Sequence, residues 1–406
     1  METVDAAEAG FDPERLARID AFLDAHYLAP ELLAGAQLLI AREGKAVHFS
    51  TAGKARASGE PMTEDALFRI ASMTKPITSI AFMMLVEEGK VSLDQAVETL
   101  IPEWKGMGVY EGGGAGTPFL AVPPERPMTM IDLMRHTSGL TYSFQHRTNV
   151  DAAYRERKLE GWHGDLDLDG FVVALADIPL EFTPGSAWNY SVSTDVLGLV
   201  VERVSGMKLD RFFEERIFAP LGMVDTAFHV PPDKAHRLGD AWAFREGKGA
   251  VVYDPGAKSA WSVPPKLLAG GAGLVSTVAD YHRFCAMLIG GGMLAGARIV
   301  GRKTLELMTA NHLPGGADLT EMSRSLFSEA INAGQGFGLG FGVNLDPAKT
   351  MLPGSKGEYY WGGMFSTAFF VDPVERLHMV FMTQLMPSST YPIRRQLKTL
   401  VYAALK

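Results

Sequence analysis

The 406-residue chain holds a single cysteine, Cys285, so no intramolecular disulfide and no multi-cysteine metal site can form. A buried thiol in "YHRFCAMLIG" is the reading of that residue. Cationic surplus is also missing: 38 Lys and Arg stand against 47 Asp and Glu, a formal charge of -9. That balance argues against binding to nucleic acid or an anionic membrane, since neither polyanion attracts an acidic protein. No apolar run approaches the ~18 residues of a membrane span. The N-terminal "METVDAAEAGFDPERL" lacks the basic and apolar blocks of a signal peptide, and a cytoplasmic location is expected. There is no H-E-x-x-H for zinc and no G-x-x-x-x-G-K-[ST] for phosphates, and "GQGFGLGFG" has Phe341 where the third glycine of G-x-G-x-x-G belongs. No cofactor and no metal are expected. The partner class left is a small molecule, and nothing in the sequence speaks to oligomeric state.

What is present is ample core material, with 47% hydrophobic residues and 43 glycines, the profile of a loop-rich globular enzyme. Residues 12–26 place apolar residues at helical spacing behind Asp12, a suitable N-cap, and Pro13 at the first helical position. "AQLLIAREGKAVHFSTAGKA" predicts two strands turning at Glu43-Gly44. "STAFFVDPVERLHMVFMTQL" predicts a second hairpin turning at Asp372-Pro373, and "YPIRRQLKTLVYAALK" a closing amphipathic helix. Between roughly 76 and 310, helices are expected at 73–88, 130–136, 168–176, 194–204, 208–216 and 277–289, with loops such as "EGGGAGTPFLAVPPERP" between them. The fold class is therefore α+β. An antiparallel sheet built from both ends of the chain (1–95 and 265–406) is expected to flank a mainly helical domain (96–264), with the active site between them.

The chemistry centres on "FRIASMTKPITSIAFMMLVEEGKVSLD". Ser72 and Lys75 stand three apart, one face of a helix whose first turn must include Pro76. Near a helix N-terminus and beside an apolar run, both dipole and desolvation disfavour the charged amine, and a neutral amine can take a serine proton. A helix-capping serine with a snorkelling lysine is the ordinary alternative. A second S-x-x-K, Ser205 to Lys208, lies at a helix end with no buried helix behind it and is read as a turn. Tyr190 is placed in a loop just before a helix capped by Ser193 or Thr194. Trp361-Gly362-Gly363 opens an apolar strand where paired glycines admit close approach. A backbone-satisfied tyrosine and a plain β-bulge are the bland readings of these two segments.

These three segments in this order, with "HTSGLTY" at 136–142, "PLGMVDTAF" at 220–228, "GGAGLVSTVADYHRF" at 270–284 and "GFGLGFGV" at 336–343, resemble the serine β-lactamase and penicillin-binding protein superfamily. The resemblance is to the class C-like branch that includes family VIII carboxylesterases and related acyltransferases. It implies a β-lactamase-like fold, Ser72 as the acyl-accepting nucleophile, and Lys75 with Tyr190 as the proton-transfer pair, the base among them left open. It further implies an oxyanion hole from the backbone N–H groups of Ser72 and Met364. Departures from the antibiotic-cleaving pattern are Val192, where that pattern has an asparagine, and Trp361, where it has a cation. Both point to a neutral, apolar ester as substrate. Tyr142, Phe144, Trp188, Tyr360, Trp361, Gly362, Gly363 and His136 are candidate pocket residues, the large aromatics having plain core as their alternative.

The expected activity is hydrolysis of short-chain carboxylic esters through acyl-Ser72. The alternatives carried forward are acyl transfer to a small alcohol, β-lactamase or D-alanyl peptidase activity, and a non-catalytic sensor. A Ser-His-Asp hydrolase is disfavoured because "PGSKG" at 353–357 has proline at the first glycine of the nucleophile elbow.

Overall fold

In the computed structural model the described residues are 1–160, 164–324 and 333–406. A seven-stranded antiparallel sheet is assembled from both ends of the chain: β1 (Gly35–Arg42), β2 (Lys45–Gly53), β3 (Gln335–Phe337), β4 (Gly342–Asn344), β5 (Tyr359–Gly362), β6 (Ala368–Asp372) and β7 (Leu377–Met382). Their order across the sheet is β3-β4-β5-β6-β7-β1-β2. The two expected hairpins are β1–β2 and β6–β7, and the chain termini meet where β1 pairs with β7.

Strand alternation sends every second side chain to the opposite face. Leu38 and Ile40 of β1 join a cluster with α1 (Pro13–Leu23), where Asp12 caps the helix by accepting from the Glu14 and Arg15 amides. Leu39 and Ala41 face the other way, into the main core. That core holds α2 (Thr74–Glu87), α3 (Ser193–Ser205) and α4 (Val278–Ile289), whereas α5 (Ile393–Ala403) packs beside α1 on the first face. The sheet is thus covered on both faces, which is why its strands read as near-continuous apolar runs. Cys285 is buried in α4.

Three local expectations are corrected. The glycine-rich loop is a hairpin, Val109–Gly114 with Thr117–Val122, because Gly113, Gly114 and Gly116 adopt positive φ and close a tight turn. Residues Ala241–Arg245 and Gly249–Asp254 form another hairpin inside the stretch expected to be dominated by helices. Helix α3 begins one residue early: Val192 occupies the N-cap without a side-chain cap, and the Ser193 hydroxyl instead meets Ser138 and Ser191 at 2.7 and 2.8 Å.

On the inner face of the sheet, His282 of α4 and His378 of β7 share one hydrogen bond, Nδ1 to Nε2 at 2.8 Å. Desolvation pushes His282 down to about 4 and His378 well below the usual 6.5, so both stay neutral in the fold. A histidine depressed on folding leaves the unfolded chain binding more protons below pH 6.5. Stability is expected to fall as pH drops from 6.5 toward 4, by up to about 1.4 kcal/mol per pH unit for each such group. Urea titrations across that range check it, and His378→Gln should flatten the slope.

Candidate functional site

A short antiparallel pairing of Phe68–Arg69 with Val275–Ser276 delivers the chain to Ser72. The buried Arg69 guanidinium anchors this approach through Asp254 (Nε to Oδ2, 2.8 Å), the Gly239 carbonyl (2.9 Å) and Gln384 (3.1 Å). Ala71 then takes the left-handed φ of 45°, and a single 3-10 turn, Ala71–Met73, leads into α2. Such a conformation in a non-glycine residue persists only where the surroundings over-determine it. Here Ile70, Ala71 and Met73 are all at most 1% exposed.

Lys75 is therefore the second residue of α2, 1% exposed, beside a half-buried Ser72. Its Nζ lies 3.3 Å from Ser72 Oγ, 2.9 Å from the Tyr142 hydroxyl and 2.7 Å from the Gly271 carbonyl, to which it donates. Tyr190 comes from the loop ahead of α3 and donates its hydroxyl to Ser72 Oγ at 2.7 Å. The Lys75 nitrogen also sits 4.5 Å from the centre of the Tyr190 ring. Serine, lysine and tyrosine, from two elements 118 residues apart, thus form one connected cluster.

Around Tyr190 stand the other aromatic candidates: His136 at 5.0 Å between ring centres, Tyr142 at 5.2 Å, Trp361 at 5.5 Å and Trp188 at 6.2 Å. Phe144, half exposed, stacks on Tyr142 at 4.9 Å, and Tyr360 stacks on Trp361 at 6.4 Å. His136 and Trp188 are buried behind the tyrosine. Burial and the Lys75 charge hold His136 well below its usual titration range, and its Nδ1 meets Ser191 at 3.2 Å.

Gly362 and Gly363 are packed rather than flexible. A Cβ on Gly363 would overlap the Ile70 carbonyl and Thr367 Oγ1, and one on Gly362 would lie 2.6 Å from the Arg394 guanidinium carbon. Arg394 of α5 donates to the Gly363 and Thr367 carbonyls at 2.6 and 2.8 Å, and the Gly363 amide closes the turn on Thr367 at 2.9 Å. This turn carries Met364 beside Ser72's own approach segment. The second S-x-x-K is a helix end, as read: Gly206 caps α3 at φ 72°, Ser205 Oγ accepts from the Met207 amide, and Lys208 pairs with Glu202.

Sequence reasoning did not single out Asp195, Gly271, Phe337 or Glu160. Asp195 and Gly271 lie directly behind the lysine, and Phe337 packs 5.3 Å from Trp361. Glu160 accepts from the Ser143 amide and hydroxyl, and burial pushes its carboxyl up to about 8. Tyr142, expected as a pocket wall, brings its hydroxyl to the Lys75 amine.

A family model described as Beta-lactamase matches residues 25–403. The chain belongs to the Beta-lactamase family. It is 32% identical over 421 residues to the esterase EstB of Burkholderia gladioli, covering 95% of both chains. Among solved structures, EstCE1, described as a hydrolase with promiscuous acyltransferase activity, superposes with a TM-score of 0.77 at 26% identity, covering 96% of this chain and 99% of that one. Unliganded simvastatin synthase from Aspergillus terreus superposes with a TM-score of 0.78 at 22% identity, covering 97% and 98%, a likeness of fold. The seven-stranded antiparallel sheet flanked by helices is thus the β-lactamase-like arrangement expected from the sequence. Among the described residues no helix is long and apolar enough to cross a membrane, and no cluster of three or more His, Cys, Asp or Glu could hold a metal ion.

Because Gly363 has no room for a side chain, Gly363→Ala in this family member should cost about 1–3 kcal/mol, as overpacking does. Urea denaturation measures it; an unchanged midpoint would contradict the packing described.

Proposed function

We propose that the protein is a serine carboxylesterase of the family VIII type, cleaving short-chain esters of neutral, apolar acids through a covalent acyl-Ser72. The observation that carries this is the chain of contacts Tyr190 hydroxyl to Ser72 Oγ to Lys75 Nζ. The relationship to EstB, an esterase, supports the same class of reaction. The site belongs between a sheet unit of residues 1–95 and 265–406 and a mainly helical unit of residues 96–264, a division supported by Ser72, Lys75 and Met364 coming from the first and Tyr142 and Tyr190 from the second.

The geometry supports the following sequence of steps. The Gly271 carbonyl can only accept, so one N–H of Lys75 is directed there. An uncharged amine that also donates to Tyr142 turns its lone pair toward Ser72 Oγ. Ser72 Oγ bonds to the ester carbonyl carbon as its proton passes to Lys75, and the charge developing on the carbonyl oxygen is met by the backbone N–H groups of Ser72 and Met364. Collapse breaks the ester C–O bond, and the leaving alkoxide takes a proton delivered through Tyr190 and Lys75. Water then repeats the sequence on the acyl-enzyme and releases the acid.

Specificity for a neutral ester is supported by the residue types near Ser72 and Tyr190. Trp361 and Val192 offer neither a cation for a carboxylate nor an amide for a lactam or peptide, and Tyr142, Phe144 and Met364 add apolar or aromatic surface. A second reading, transfer of the acyl group to an alcohol, is favoured by the description of EstCE1, since the same intermediate serves either acceptor.

Purified protein is expected to hydrolyse p-nitrophenyl acetate and butyrate and to leave nitrocefin essentially intact. Ser72→Ala should abolish turnover, and Tyr190→Phe should lower kcat by about 10²–10⁴-fold. Turnover by Ser72→Ala equal to that of the parent would refute the assignment. Adding short alcohols and measuring new ester against free acid separates hydrolysis from transfer.

A further inference from the structure

Behind the lysine lies a carboxylate that the reaction scheme leaves without a part. Asp195 sits in the first turn of α3, five residues after Tyr190, and is 6% exposed. Its Oδ1 accepts the Gly271 amide at 2.9 Å, and the carbonyl of the same glycine accepts Lys75 Nζ at 2.7 Å. One residue therefore relays the carboxylate to the amine through its own peptide groups. The relay has no slack. A Cβ on Gly271 would fall 2.5 Å from Asp195 Oδ2, and one on Gly270 would fall 2.8 Å from the Thr194 carbonyl. Thr78 of α2 donates to the Gly270 carbonyl at 2.6 Å, so the glycine pair is stitched between α2 and α3.

We propose that Asp195 is a positioning residue for Lys75: it fixes the Gly271 carbonyl that orients the amine, and its charge holds a proton on that amine more tightly than the site otherwise would. The proposal rests on the reading of Ser72 and Lys75 as the reacting pair. Burial raises the Asp195 carboxyl above its usual range, and the nearby Lys75 charge opposes that rise by favouring the ionised form. Coupling of this kind is reciprocal. Other groups facing the amine include Ser72, Tyr142, Tyr190, the neutral His136 and the carboxyl of Glu160. Asp195 differs from them in being joined to the amine through Gly271. The arrangement explains how an amine with a helix N-terminus behind it can receive the serine proton at all and then return it.

The test is the titration of Lys75 itself, which needs no turnover. Protein labelled with [ε-13C]lysine, with the Lys75 resonance assigned by its loss in Lys75→Arg, is followed by NMR across pH. Asp195→Asn keeps an acceptor for the Gly271 amide and removes the charge. It should lower the Lys75 midpoint by about 1 pH unit and move the acidic limb of kcat/KM the same way. Asp195→Ala also loses the anchor and should fall at least about tenfold below Asp195→Asn in kcat/KM at its own optimum, which corresponds to about 1.4 kcal/mol of barrier. Should Asp195→Asn not fold, Asp195→Ser takes its place in the titration. A Lys75 midpoint that is unchanged or raised without the carboxylate overturns the charge coupling, and equal kcat/KM for the Asn and Ala variants overturns the anchoring. Inactivity of the parent toward esters would remove the proposed function yet leave the titration to decide the coupling.

Discussion

An amine enclosed in protein sets the terms for everything around it. Lys75 is almost wholly buried at the positive end of α2, where the helix dipole and the lack of water both oppose its charge. A buried amine without acceptors would be costly, so the surrounding segments must bring oxygen to it. They do so from three directions, Ser72 from the preceding turn, Tyr142 from the "HTSGLTY" segment and the Gly271 carbonyl from the "GGAGL" segment, and the loop before α3 adds the Tyr190 ring face.

The glycines near the site follow from that enclosure. Gly270, Gly271, Gly362 and Gly363 stand where the backbone is approached by other backbone, by the Asp195 carboxylate or by the Arg394 guanidinium too closely to admit a methyl group. Arg394 and Arg69 hold the two strands that converge on Ser72, one through the carbonyls of the "WGG" turn and the other through Asp254 and Gln384. Charged side chains of this kind carry rigid, planar arrays of donors, which suits them to fixing backbone geometry in a dry interior. The Ser72 region is thus pinned from behind, on the sheet side, while Phe144 and Met364 remain open to solvent.

The readable parts of the chain were those where local pattern and tertiary demand agree. Asp12 and Pro13 announced a helix start that the fold keeps, Glu43-Gly44 and Asp372-Pro373 marked real turns, and the Ser72 to Lys75 spacing placed two side chains within contact. Reading failed where composition imitates disorder of structure: "EGGGAGTPFLAV" looks like a loop, yet its glycines are there to turn a hairpin. It failed again at Ser193, whose hydroxyl is spent sideways on Ser138 and Ser191 rather than on capping its own helix.

Sequence alone determined the helix whose first turn holds the lysine, the strands at both ends and the family likeness, and it singled out Ser72, Lys75 and Tyr190, because each is written in short-range spacing or in ordered motifs. Only the tertiary structure decided that Tyr142 touches the amine, that Asp195 reaches it through Gly271, and that the "WGG" turn rests on Ile70 and Arg394. Those meetings join residues far apart along the chain, and no local propensity encodes a distance that is set by how two helices and a sheet close on one another.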